Sequence, residues 1–194
     1  MQHKIYSLGK IFSRNILLAQ KLQHILLAHL SALNGIPAIG VSLDTLHPDA
    51  DFSGVERYFG GIFESLMKEW PSRHGVYYNV NFPDIPADQI KGVRTGSQGM
   101  GRWIKEFKEW DRNHYAHYGL TPEMLGQSSN PVLEEGEDLY MMVGEFLDDP
   151  RNPADADHHL VAEGYVSVVA HNVDCTDYQE LERLRTINVD KDFI

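Results

Sequence analysis

The chain has 194 residues, 42% of them hydrophobic and 23% charged, a composition that suits one compact domain and excludes a disordered or fibrous protein. Its 28 acidic residues outnumber its 17 basic residues and give a formal charge of −11, which argues against nucleic acid as a partner. One cysteine cannot form an internal disulfide, and no apolar run reaches the length of a membrane span. The sequence therefore predicts a soluble cytoplasmic protein that needs no membrane.

The chain opens with a basic segment: residues 1–43 contain four basic residues and no Asp or Glu. Apolar residues recur there at three-to-four spacing, and Asn34, Gly35 and Pro37 then form a stop signal. This pattern predicts one amphipathic helix over residues 11–33. A role for this basic helix at a membrane surface is a separate hypothesis.

Extended and helical patterns then alternate, which predicts an α/β fold. The apolar run from Ile36 to Leu43 predicts a strand buried on both faces. The further predicted elements are a helix over 55–70, strands over 76–82, 90–95, 139–147 and 165–173, and a closing helix over 176–185. Residues 111–138 are polar and contain glycine, so they predict a long loop or arm.

Four segments carry a resemblance to a known family. They are Gly35–Leu43, Asn79–Asp84 with Ile90–Arg94 close behind, Leu139–Gly144 and Asp157–Ser167. In order and spacing they resemble the later two-thirds of the survival protein SurE family of 5′/3′-nucleotidases. The resemblance implies an α/β fold with a Rossmann-like core, truncated at the front, and a protruding β-arm that exchanges between subunits of a homo-oligomer.

The resemblance also divides the chain. It implies a divergent basic helical start at residues 1–33 and a SurE-like α/β domain at residues 34–194, with the arm at about residues 96–147. Helical propensity around Arg102–Trp110 disagrees with an extended arm, and we follow the resemblance there.

The implied activity is hydrolysis of nucleoside monophosphates to nucleoside and phosphate, supported by a divalent metal, Mg or Mn. The family holds this ion with an Asp-Asp-Gly, a Ser and a Ser-Gly-x-Asn motif in its front third, and none of these motifs occurs in this sequence. A hard cation needs oxygen ligands, usually carboxylates, so the sequence yields no metal ligand and no catalytic residue. We expect a truncated or frame-altered chain with impaired activity; a divergent relative with ligands elsewhere is the alternative.

A noncatalytic assembly module is the alternative function. Aromatic side chains are common in buried protein interfaces, and several fall in the presumed arm. These are Trp103, Phe107, Trp110, Tyr115 and Tyr118.

Three polar residues are candidates for binding the substrate. Asn79 and Asn81 alternate with Val80 along a strand, so both amides lie on one face. Ser42 lies near the carboxyl end of a presumed parallel strand, where such sheets place ligands. The amides serve either to bind a nucleotide or to tie down a neighbouring loop.

A compact cluster of Asp155, Asp157, His158 and His159 precedes the last predicted strand. Carboxylates with imidazoles are metal ligands. We favour the simpler interpretation, an acidic loop whose Asp157 caps a helical turn.

Other polar groups have structural interpretations. His114 and His117 would share a face if helical, but their neighbours favour a solvated loop. Asp148 and Asp149 are interpreted as a solvated acidic face. Cys175 has no activating neighbours and is predicted to be a packing residue.

Overall fold

The structure is a computed structural model, and it describes residues 25–45, 49–114, 116, 119–125 and 128–187. Residues 25–33 are helical and form the described part of helix α1. The other helices and strands, in chain order, are β1 (Ile39–Leu43), α2 (Ser53–Lys68), β2 (Val76–Phe82), β3 (Val93–Gly96), β4 (Gly101–Ile104), β5 (Phe107–Glu109), β6 (Tyr140–Met142), β7 (Glu145–Asp148), α3 (Asp157–Ala162), β8 (Val166–Asn172) and α4 (Tyr178–Thr186). Two 3₁₀ turns lie at Ala87–Gln89 and Glu123–Leu125.

Four strands form the central sheet, in the order β1-β2-β8-β3. Strand β1 is parallel to β2, which is the arrangement that a strand-helix-strand unit requires. Strand β8 is antiparallel to β2 and parallel to β3. The sheet is therefore mixed, and the carboxyl ends of β1 and β2 lie at the edge where β8 and β3 begin.

The main core lies between this sheet and α2. Val80 and Phe82 are fully buried and pack with Ile62 from the helix. Each fully buried side chain of this size contributes roughly 1.5–3 kcal/mol through removal of apolar surface from water. Alternation along β2 sends Asn79 and Asn81 to the opposite face.

Helices α1 and α3 lie on that opposite face. Ala28 and Ala32 of α1 are buried against Tyr77 of β2. At the end of β3 a Cβ on Gly96 would lie 2.2 Å from the backbone carbonyl oxygen of Asp155, just ahead of α3, and 2.8 Å from the Leu160 side chain. Glycine is needed there because no side chain fits between strand and helix.

A two-stranded antiparallel ribbon leaves the end of β3 and forms the arm. Strand β4 pairs with β7, and β5 pairs with β6. The pairing is interrupted between these two ladders, where Lys105 and Gly144 both have positive φ values, of 51° and 153°. One hydrogen bond, from the Val143 amide to the Glu106 carbonyl at 2.8 Å, bridges the interruption.

The structure confirms the predicted α/β class and the arm. Strand β2 has the predicted bounds, whereas the predicted strand over 139–147 is divided at Gly144. Residues 102–110 lie in the extended arm, as the resemblance implied and helical propensity did not. Helix α3 was predicted only as a turn. The part of the predicted first helix before residue 25 lies outside the described residues.

None of the helices in the described part of the chain has the length and apolar character that a membrane crossing requires.

Candidate functional site

Ser42, Asn81 and Ser167 form a hydrogen-bonded row across three neighbouring strands. The register places Ser42 opposite Asn81, and Asn81 opposite Ser167. The Ser42 hydroxyl donates to Asn81 Oδ1 at 2.7 Å, and Asn81 Nδ2 donates to Ser167 Oγ at 3.3 Å. The strands therefore bring together two of the three predicted substrate-binding residues.

Asn79 lies on the same face as this row, two residues earlier along β2. Its backbone neighbours are Gly40 on β1 and Val169 on β8. Its side chain is buried, with 6% of its surface exposed. In the row, Ser42 and Asn81 are half-buried, whereas Ser167 is fully buried. Asn79 is therefore the least accessible of the three predicted residues.

A cation extends the row by one strand. Arg94 of β3 lies opposite Ser167 in the register, so the row reads Ser42, Asn81, Ser167, Arg94 across the whole sheet. The guanidinium is exposed, lies 4.5 Å from the Tyr165 ring and donates to the neighbouring Val93 carbonyl at 2.9 Å. Hydroxyl, amide and guanidinium groups can donate hydrogen bonds to phosphate oxygens.

This row does not have the donor set of a magnesium or manganese cage, because its groups are neutral or cationic. Asp44 and Asp84 follow the ends of β1 and β2 and are exposed. Within the described ranges, neither belongs to a group of three or more ligating side chains. Among the described residues, the groups of the row itself therefore do not supply the carboxylates of the hard-cation site that the resemblance implies.

A group of three ligating side chains lies at the base of the arm instead. It consists of Asp148 at the end of β7 and of His158 and His159 in the first turn of α3. His158 Nε2 lies 2.8 Å from Asp148 Oδ1, and His159 Nε2 lies 2.8 Å from Asp148 Oδ2. Asp148 is therefore a partner of two imidazoles rather than part of a purely solvated face, which corrects the prediction for it.

Hydrogen bonds perturb the titration of this group. The pKa of Asp148 is held well below its ordinary value, first by the hydrogen bond with His159 and then by that from Asn152. Reciprocally, the hydrogen bond with Asp148 is the largest cause that raises the pKa of His159.

Asp157 is not a helix cap in the structure. The cap position of α3 belongs to Ala156, and the Asp157 carboxylate instead accepts from the amides of Gly99 and His158, both at 2.9 Å. Asp155 lies at the same junction, where its Oδ1 is 3.4 Å from Ser97 Oγ. These contacts fasten the start of the arm to α3.

The remaining predictions have mixed outcomes. His114 Nδ1 lies 3.0 Å from the Lys108 ammonium, while His117 lies outside the described residues, so the solvated loop expected for the two histidines stays a prediction. Cys175 is exposed, so its prediction as a packing residue is wrong. Its loop folds on hydrogen bonds to Asp174, which leave the thiol at the surface.

Two surface clefts, of about 680 and 190 Å³, lie elsewhere. The larger is on the arm beside Trp110 and Pro131, and the smaller lies between Gly35 and His74. Neither is lined by Ser42, Asn79 or Asn81.

Sequence reasoning missed Ser167, Arg94 and Asp148. Ser167 and Arg94 join the row only because β8 runs between β2 and β3, and nothing in the sequence states that strand order. In the sequence Arg94 lies between Val93 and Thr95, and so short a pattern gives no register.

The chain was compared with protein-family models and with known proteins. Residues 27–105 match the family described as survival protein SurE. The chain is 32% identical over 158 residues to a 5′-nucleotidase SurE of Phocaeicola vulgatus, covering 81% of this chain and 52% of that protein. It is also 32% identical over 156 residues to the 5′-nucleotidase SurE of Bacteroides fragilis, covering 79% and 51%.

A solved structure is similar as well. The SurE protein from Aquifex aeolicus superposes with a TM-score of 0.56 at 20% identity, covering 83% of this chain and 55% of that one. The chain spans about half the length of the curated relatives it matches. The resemblance to the family is confirmed: over about four fifths of its length the chain is related to SurE 5′-nucleotidases, and it has the SurE α/β fold with its arm.

Proposed function

We propose that this chain binds nucleoside monophosphates, the substrates that its relationship to 5′-nucleotidases implies, and that it hydrolyses them weakly or not at all. The observation that carries the proposal is the polar row of Ser42, Asn81 and Ser167 at the carboxyl edge of a SurE-like sheet. The chain's own contribution is to bind the phosphate and orient the nucleoside along this edge. Asn79, behind the row, supports it as a second amide.

The row keeps capacity for a ligand after its internal hydrogen bonds are counted. The Asn81 amide offers two donors and two acceptor lone pairs, and its contacts with Ser42 and Ser167 use one of each. The half-buried Ser42 and Asn81 therefore retain groups that a phosphate oxygen or a sugar hydroxyl can contact.

Turnover by this chain is proposed to be weak or absent. In the family a divalent Mg or Mn ion polarises a phosphoryl oxygen and activates water, and the row lacks the carboxylates that hold such an ion. We propose that the chain works in the cytoplasm, with residues 1–33 as a separate basic start and residues 34–194 as the SurE-like domain.

Binding of a nucleoside monophosphate to the purified chain tests the proposal. We expect saturable binding that Asn81→Asp weakens by about tenfold or more, because one new carboxylate repels phosphate by roughly 1.4 kcal/mol. The carboxylate still accepts from Ser42, and the Ser167 hydroxyl can turn to donate to it in place of the lost Nδ2 donor. Asn130→Asp makes the same charge change at an exposed loop position of the arm and is expected to leave affinity unchanged. Equal affinities in all three proteins would overturn the placement of the site.

A second candidate function is a noncatalytic assembly module that associates with a second copy of this chain through the arm. The arm leaves large apolar side chains in solvent, including Phe107 at 63% exposure, Tyr140 at 51% and Trp103 at 47%. Of the aromatic residues that suggested this function, Tyr115 and Tyr118 lie outside the described residues.

A further inference from the structure

We propose that Asp148, His158 and His159 form a binding site for one divalent transition-metal ion of the zinc class, at the junction of the arm and the core. The site is separate from the phosphate-binding row, and the proposal does not depend on nucleotidase activity. Its donor set also differs from the oxygen cage of a magnesium ion, because two of its three ligands are imidazoles.

The ligand atoms already converge. The two Nε2 atoms each lie 2.8 Å from a different oxygen of Asp148, and one ligand atom from each of the three residues lies within 4.8 Å of the others. Two imidazoles and one carboxylate form a donor set that zinc and related first-row ions use. A small outward movement of the carboxylate would leave room for an ion among three ligands.

The contacts of the Nδ1 atoms of His158 and His159 favour metal binding at their Nε2 atoms. His158 Nδ1 lies 3.5 Å from Asp157 Oδ1, and His159 Nδ1 lies 3.2 Å from the Pro153 carbonyl oxygen. Of these contacts the one to Pro153 is a hydrogen bond and the one to Asp157 an ion-pair distance. An imidazole that donates its Nδ1 proton keeps a lone pair on Nε2, and metal-binding histidines are typically held in this way. Both rings are thus oriented with Nε2 toward Asp148.

The carboxylate has an outer partner of its own. Asn152 Nδ2 donates to Asp148 Oδ1 at 2.6 Å, while Asn152 Oδ1 accepts from the Met100 amide at 2.7 Å. The ring of Phe146 lies edge-on to His158, with 5.4 Å between centroids. All three candidate ligands therefore have a second contact that fixes their orientation, as a preorganised metal site requires.

The three candidate ligands are partly exposed, which suits a metal ion that retains a bound water molecule. The side chains of His158, His159 and Asp148 are 30%, 32% and 45% exposed. Three protein ligands with an open side leave at least one coordination position for water or an anion. Because Asp148 ends the arm and the histidines begin α3, a bound ion would also join arm to core.

Zinc binding to the full chain, stripped of metal and then titrated at neutral pH, tests this site. We expect wild-type protein to bind zinc with an affinity that falls about tenfold or more in Asp148→Asn and in His159→Ala. Asp157→Asn removes the charge beside His158 Nδ1 while its side-chain oxygen can still accept from the Gly99 amide, and it is expected to weaken binding about tenfold. His74→Ala removes an exposed histidine away from the group and should leave the affinity unchanged.

A second measurement on the wild-type protein does not depend on how the variants fold. Zinc added to one equivalent should shift the ring resonances of His158 and His159 in an NMR spectrum and leave those of His74 in place. Unmoved resonances at saturating zinc, or folded variants that bind zinc as tightly as wild type, would overturn the site and leave an ion pair alone.

Discussion

At the scale of single residues, the Asn81 side chain joins three strands. Its amide accepts from Ser42 on β1 and donates to Ser167 on β8, so one side chain connects both neighbours of β2. A typical intramolecular hydrogen bond contributes about 0.5–1.5 kcal/mol to stability. Loss of this amide would also remove a partner from the fully buried Ser167. Structural and ligand-binding uses of Asn81 are therefore compatible.

The Asp174 carboxyl is expected to make stability depend on pH in the acid range. Hydrogen bonds with Thr176 and Tyr178 lower the pKa of this carboxyl from 3.8 to about 2. A lowered folded pKa means that this carboxylate stabilises the fold above about pH 3.8 and that the contribution is lost as pH falls toward 2. We expect NMR to show titration near pH 2 in wild type and a higher pKa in Tyr178→Phe, which lacks one donor. An unshifted pKa in both proteins would contradict these contacts.

Single residues also show how far the sequence informs the site. Period-two alternation was sufficient to place Asn79 and Asn81 on one face. It could not find Asp148 as the partner of His158 and His159, because ten residues and a change of element separate them. Contacts of that kind arise from the path of the arm back to the core, which no local pattern encodes.

At the scale of elements, the local sequence pattern predicted the helices and strands whose buried residues recur with a regular period. Strand β2 begins and ends at the predicted residues because its apolar run is bounded by Gly75 and Pro83. Helix α3 was missed because it has only six residues, too few to establish a helical period. The division at Gly144 was missed because it depends on a contact across the arm: Gly144 has a φ of 153°, and a Cβ there would lie 2.9 Å from the Trp103 ring.

The arm carries a prediction about assembly. Exposed aromatic residues on a projecting ribbon favour association, because burying them removes apolar surface from water. We expect light scattering to detect self-association at micromolar concentrations, and Phe107→Glu to shift the chain toward monomer. Phe52→Glu changes a comparably exposed phenylalanine ahead of α2 and should have no such effect. A clean monomer across this range would count against the assembly module.

At the scale of the whole molecule, fold and donor chemistry point in different directions. The fold is that of SurE proteins, and the edge that presents Ser42 and Asn81 is the edge where α/β sheets place ligands. Yet the described ligating cluster lies at the arm junction, and its two imidazoles do not suit a hard cation. We therefore propose that this chain binds the phosphate ester but does not cleave it.

Phosphate release from a nucleoside monophosphate, in the presence of manganese, tests that proposal most directly. The assay compares the purified chain, with and without chelator, against a full-length SurE 5′-nucleotidase as the positive control. We expect release at the level of buffer from this chain and a clear chelator-sensitive rate from the control. A robust chelator-sensitive rate from this chain alone would contradict it.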